Sequence, residues 1–177
     1  GVQTCALPIW GEQVQALQLL EHGVRVAPHF PPLWFAYGSA LQGQARYDDA
    51  LTAYDRALAL KPDYQEVLIN SGVLLRERHR HLEALERFQK VLSFNPNYET
   101  ALGNAGILLT EFKRSAEGIQ LFERLLAQNP DYDYGWGLLT YERLHLCDWT
   151  DFDANRQRIV EGDRKSTRLN SSHSQQS

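Results

Sequence analysis

The sequence predicts an all-α fold, a right-handed superhelical solenoid built from antiparallel helix pairs. Three series of residues that recur every 34 positions carry this prediction. They are a turn proline (Pro28, Pro62, Pro96, Pro130), a glycine (Gly38, Gly72, Gly106) and a bulky aromatic residue (Tyr54, Phe88, Phe122). Because all three series keep one phase over three or four units, the signal is far more specific than any single motif.

Each marker has a physical role in packed helix pairs. A proline cannot continue the helix before it, so it sets the turn into the next unit. A glycine inside a helix costs about 1 kcal/mol relative to alanine, and the close approach of a second helix is the reason we expect for it. We expect the aromatic residues to fill the space between neighbouring units.

The periodicity predicts nine helices in order along the chain. They lie near 11–25, 32–44, 47–60, 65–78, 81–93, 99–112, 115–127, 133–146 and 151–161. Residues 10–132 form the repeat array, with a partial first unit and then repeats near 31–64, 65–98 and 99–132. Residues 133–162 form a terminal unit in which Thr140 replaces the marker glycine. Thr150, with Asp153 three residues later, is typical of a capping box at the start of the last helix.

The two ends of the chain differ from the rest. Residues 1–9 (GVQTCALPI) and 163–177 (DRKSTRLNSSHSQQS) both resemble the conceptual translation of a DNA sequencing adapter. We therefore leave them out of the fold and expect the second stretch to be disordered. The part that carries the fold is then about residues 10–162.

Composition excludes several classes of protein. The chain has 43% hydrophobic and 23% charged residues, which is typical of a globular protein. Its net charge of −4 argues against a nucleic-acid partner. Since no apolar run approaches the roughly 18–20 residues of a membrane span, we expect no membrane partner. The two cysteines, Cys5 and Cys147, fit a reducing compartment, and we expect a cytoplasmic location. Cys147 is interpreted as a buried structural thiol in preference to a nucleophile.

The candidate binding residues are two asparagines at equivalent places in successive repeats. Asn70 and Asn104 are separated by one full repeat, and each lies two positions before a marker glycine. An asparagine amide offers a donor and an acceptor to a peptide backbone, so we predict a peptide-binding groove; the alternative is that both face water. The sequence gives no candidate catalytic residue, metal ligand or cofactor site. The histidines of the stretch 78–81 are interpreted as part of a solvated turn in preference to a metal site.

This pattern resembles the tetratricopeptide repeat over about residues 11–146. The resemblance implies protein or extended-peptide partners. The sequence departs from the family at Gly118, where an alanine is usual, and the helix there is expected to be looser.

The surroundings of Asn70 and Asn104, together with the segment GWGLLTYERLHLCDWTDFDANRQRI, resemble bacterial O-linked N-acetylglucosamine transferase-like proteins of the Spindly-like group. His145, Cys147, Asp148 and Trp149 match the string that closes the repeat array in that group. The resemblance implies an acceptor-recognition region whose UDP-sugar-dependent catalytic domain lies outside this chain. The alternative is a non-catalytic adaptor that assembles proteins.

Overall fold

The structure is a computed structural model that describes residues 6–132 and 134–173. Over these residues the backbone forms nine α-helices and no strand. The helices are α1 (Ala6–Val26), α2 (Pro31–Gly43), α3 (Tyr47–Leu60), α4 (Gln65–Glu77), α5 (His81–Phe94), α6 (Glu99–Glu111), α7 (Ser115–Gln128), α8 (Gly135–His145) and α9 (Phe152–His173). The bounds of α2 to α8 agree with the sequence prediction to within two residues.

The helices fall into two compact units that divide after Phe94. In the first unit α2 packs against α3 and α4 packs against α5, with further contacts joining α1 to α2 and α3 to α4. In the second unit α6 packs against α7, α7 against α8 and α8 against α9. Each unit is therefore a series of antiparallel helix pairs, which confirms the predicted fold class.

The marker glycines allow the two helices of a pair to touch. A Cβ atom added to any of the three would lie under 3.0 Å from the ring of a fully buried aromatic residue. The distance from the added Cβ to the ring is 2.7 Å for Gly38 and Tyr54, 2.8 Å for Gly72 and Phe88, and 2.6 Å for Gly106 and Phe122. Each ring thus fills the space left by the glycine of its own pair. Phe122 also shares a buried cluster with Leu139 of the following helix, as expected of a ring that packs between units.

The turn inside each helix pair uses a left-handed residue that is not glycine. Ala45, His79 and Lys113 have φ values of 58°, 59° and 62° and follow one another at the repeat spacing. In the first of these turns the Arg46 amide donates to Leu41 O at 3.0 Å and the Ala45 amide donates to Gln42 O at 2.9 Å. This pair of hydrogen bonds is the Schellman motif, and it satisfies carbonyl groups at the end of the helix.

Gly118 is packed more closely than the sequence predicted. The residue is buried, and an added Cβ would lie 2.6 Å from a Thr110 methyl carbon and 3.0 Å from the Gly106 carbonyl oxygen. The expectation of a looser helix was wrong, because the missing side chain is what lets α7 approach α6.

Both ends of the described chain extend further as helix than the sequence predicted. Helix α1 begins at Ala6, inside the stretch interpreted as adapter, and α9 continues to His173. Residues 163–173, expected to be disordered, are thus helical, since each residue added to an existing helix gains a hydrogen bond. Residues 1–5 and 174–177 lie outside the described part of the chain.

Candidate peptide-binding faces

Asn70 lies in α4 of the first unit and is partly exposed. Its neighbours on both sides, Ile69 and Ser71, are buried. The Ser71 hydroxyl donates to Val67 O of the same helix at 2.7 Å, so it is not available to a ligand. Asn70 is therefore the polar group that this part of α4 offers to a partner.

Asn104 lies in α6 of the second unit and is also partly exposed. Its Nδ2 donates to Thr100 O, one turn earlier, at 2.7 Å. Its Oδ1 is buried and has no hydrogen-bond partner in the described part of the chain. The amide thus has an unused acceptor, and a rotation of the side chain would bring it to the surface.

The two faces differ in the residue that precedes the asparagine. In the second unit Gly103 leaves a space, and Tyr132 Oη lies 2.7 Å from where a Cβ would be. In the first unit Ile69 holds this place, and it is buried. Gly103 therefore makes room for a tyrosine hydroxyl group where the first unit has a buried isoleucine.

Three of the described ion pairs lie at the turn inside a helix pair. Three repeats carry an exposed arginine that pairs with a carboxylate three residues later, at the start of the second helix of the pair. The hydrogen bond from Arg80 lowers the pKa of the Glu83 carboxyl group, and Arg114 lowers the pKa of Glu117 in the same way. Exposed pairs of this kind contribute little to stability, so we assign them to fixing the helix starts.

Other residues that sequence reasoning singled out carry no assembled chemical site. In the part of the chain that the structure describes, no group of three or more His, Cys, Asp or Glu residues could hold a metal ion. His79 and His81 stand at the α4–α5 turn with ring centroids 5.7 Å apart. Cys147 is exposed, so the prediction of a buried thiol was wrong; it follows α8 in a left-handed conformation (φ 56°) that projects it from the turn.

The segment that resembles the end of a transferase repeat array forms the connection between α8 and α9. The Asp148 carboxylate accepts hydrogen bonds from the Thr150 hydroxyl at 2.5 Å and from the Thr150 amide at 3.0 Å, and these lower the pKa of Asp148. The predicted capping box was wrong, because the Thr150 side chain bonds Asp148 and not the backbone near Asp153. Trp149 packs edge-on against Phe152 and remains 66% exposed.

No helix among the described residues is both long enough and apolar enough to cross a membrane.

Comparison with known proteins identifies the repeat. The tetratricopeptide repeat family matches residues 35–99 and again residues 75–140, which together cover more than half of the chain. No curated protein matches the sequence. The chain belongs to the tetratricopeptide repeat family.

Solved structures of low sequence identity share this fold. One structure of MamA is 12% identical, with a TM-score of 0.80 over 91% of this chain and 94% of MamA. MamA from Desulfovibrio magneticus RS-1 is 20% identical, with a TM-score of 0.76 over 88% of each chain. YrrB, described as a TPR protein with an unusual peptide-binding site, is 15% identical, with a TM-score of 0.75 over 88% of this chain and 80% of YrrB.

Proposed function

We propose that this chain is a protein-binding scaffold that holds extended polypeptide segments on α4 and α6, with Asn70 and Asn104 as the hydrogen-bonding residues. The observation that carries the proposal is the buried, unpartnered Oδ1 of Asn104. Membership of the tetratricopeptide repeat family supports it. So does the fold shared with YrrB, a TPR protein with a peptide-binding site.

The chemistry proposed for Asn104 is recognition of a peptide backbone. On binding, the Asn104 side-chain amide rotates away from Thr100 O, and this rotation brings the buried Oδ1 to the surface. There Oδ1 accepts from a backbone N–H of the bound segment, which satisfies an atom that is otherwise left without a partner, and Nδ2 donates to a carbonyl oxygen of the same segment. Asn70 provides the same donor and acceptor within the first unit. Because these contacts involve no side chain of the ligand, the scaffold accepts many sequences.

We further propose that the bound segments are acceptors for O-linked glycosyl transfer. The support is the resemblance carried by His145, Cys147, Asp148 and Trp149 to the end of the repeat array in O-linked N-acetylglucosamine transferase-like proteins. In this proposal the UDP-sugar and the catalytic residues belong to a separate domain, and this chain supplies acceptor recognition only. An adaptor that assembles proteins without catalysis is the alternative.

Binding of a peptide pool to variants of the full chain tests the scaffold proposal. The probe is a fluorescein-labelled pool of peptides of about twelve residues, each with a central Ser or Thr and randomised flanks, followed by fluorescence anisotropy. Asn70→Ala combined with Asn104→Ala should raise the Kd at least about tenfold, or about 1.4 kcal/mol, because the segment bound on either unit loses its amide donor and acceptor. Far-UV circular dichroism should not change.

The matched control is Asn97→Ala, which removes an exposed asparagine at the turn between α5 and α6. This variant should bind the pool as the unmodified chain does. An unchanged Kd in the double variant, or no binding of the pool at all, would overturn the proposal.

The sequence of the gene downstream of Gly162 distinguishes a transferase from an adaptor. A following pair of nucleotide-sugar-binding α/β domains would support the transferase proposal. A stop codon or further repeats at that place would replace it with the adaptor.

A further inference from the structure

Helix α9 is attached to the rest of its unit by different chemistry from the repeat helices. Among the side chains of 152–162, Asn155 is the only buried one, at 1% exposure. In α7, by contrast, Phe122, Leu125 and Leu126 are all buried. The main anchor of α9 is therefore a polar side chain where a repeat helix uses apolar ones.

Asn155 does not hold the place that an aromatic ring has in the repeats, because it lies only one turn into α9. Thr140 stands at the marker-glycine position, one full repeat after Gly106. Counted from Thr140, Asn155 comes one position before the place at which a repeat has its ring. The alignment of α9 along α8 is indicated by Arg158, whose guanidinium carbon lies 4.2 Å from the centre of the Trp136 ring. One helical turn from this contact, towards the connection between the helices, Thr140 and Asn155 come opposite each other.

Thr140 of α8 and Asn155 of α9 are both polar and both buried. Thr140 is 8% exposed, and its Oγ1 has no hydrogen-bond partner among the described residues. The Oδ1 of Asn155 accepts from Arg158 at 3.2 Å, but its Nδ2 is likewise buried without a described partner. A buried donor or acceptor without a partner opposes burial, whereas the ring in a repeat favours it.

We propose that α9 is a releasable helix, which undocks from α8 far more readily than the helices of the repeats open. In the docked state Thr140 and Asn155 need a bridging oxygen, such as a water molecule, to complete their hydrogen bonds. The helix is thereby a hinge that lets the direction of the chain after the array change without disturbing the repeats. This inference does not depend on peptide binding.

Hydrogen exchange of the full chain tests the inference. The amides of 156–162 should exchange at least about 100-fold faster than those of 122–126, because local opening releases α9 alone. Thr140→Val combined with Asn155→Leu keeps the shapes and removes both polar groups. This variant should slow exchange in α9 about tenfold or more and leave α7 unchanged.

A single variant should change the rate of amide exchange in α9 in the opposite direction, and it keeps the test valid if the double variant folds poorly. Thr140→Val alone leaves Asn155 without its proposed bridge, so exchange in α9 should become faster. Thr110→Val is the control, since the Thr110 hydroxyl is already satisfied by Ile107 O at 2.8 Å, and it should leave α9 unchanged. The inference would be overturned if α9 of the unmodified chain were as protected as α7. It would also be overturned if the folded double variant and the Thr140→Val variant both left exchange in α9 unchanged.

Discussion

Replacing Gly72 by leucine tests whether the helix pairs are as close as the structure shows. The added Cβ would lie 2.8 Å from Cε1 and 3.0 Å from Cζ of Phe88, a ring with no exposed surface. Overpacking of a filled core costs about 1–3 kcal/mol, and three more carbon atoms beyond Cβ place this site near the upper end. Leucine recovers about 1 kcal/mol of helix propensity relative to glycine. We therefore expect the free energy of unfolding to fall by about 2 kcal/mol.

The same substitution at Gly137 is the matched control. That glycine lies inside α8, and apart from its chain neighbours and the backbone of its own helix no described atom lies within 4 Å of an added Cβ. Gly137→Leu should thus raise the free energy of unfolding by up to about 1 kcal/mol, since only the propensity gain remains. Urea unfolding followed by far-UV circular dichroism measures both variants. A Gly72→Leu protein as stable as the unmodified chain would refute the close packing of α4 against α5.

Three further outcomes are expected. Tyr54→Phe should lower the free energy of unfolding by about 1 kcal/mol, because the buried hydroxyl donates to Gln42 Oε1 at 2.8 Å. Burial also raises the pKa of Tyr54, so the stability that the neutral hydroxyl provides should be lost as the pH rises above about 10. Urea unfolding at several pH values should show that this loss is smaller in the variant. Thr150→Val should raise the pKa of Asp148 towards its ordinary value, measured by NMR titration, because it removes the hydroxyl that bonds the carboxylate. A chain of residues 10–162 should melt at the temperature of the full chain, since the described buried side chains lie between Val24 and Asn155, and a clear fall in Tm would contradict this.

Much of the fold followed from the sequence because the repeat markers are steric requirements. Gly38, Gly72 and Gly106 are needed because a ring fills the space that a side chain would take. The spacing of these glycines therefore indicates the packing directly. Prolines end helices by geometry alone. These are local effects, and they fixed the helix bounds to within a residue or two over most of the array.

The remaining features of the fold depended on contacts that the spacing of residues does not encode. The left-handed turns use Ala45, His79 and Lys113, whose side chains share no chemistry that would mark a Schellman motif. The exposure of Cys147 follows from a backbone turn, since thiols elsewhere are commonly buried.

The candidate site likewise has a part that the sequence predicted and a part that only the structure shows. Repeat spacing placed Asn70 and Asn104 on the first helices of their pairs, where the structure also has them. The hydrogen bond of Asn104 to Thr100, and the unpartnered oxygen that results, depend on side-chain rotation. No sequence pattern reports a rotamer, so the most informative detail of the site came from the structure alone.

Side-chain amide resonances of the full chain provide the most direct measurement of polypeptide binding by the asparagines. On titration with the labelled peptide pool, the NH₂ signals of Asn70 and Asn104 should shift in a saturable way, while those of Asn97 stay in place. If the peptides bind and these two amides do not respond, polypeptides are held elsewhere, and the role assigned to α4 and α6 is wrong.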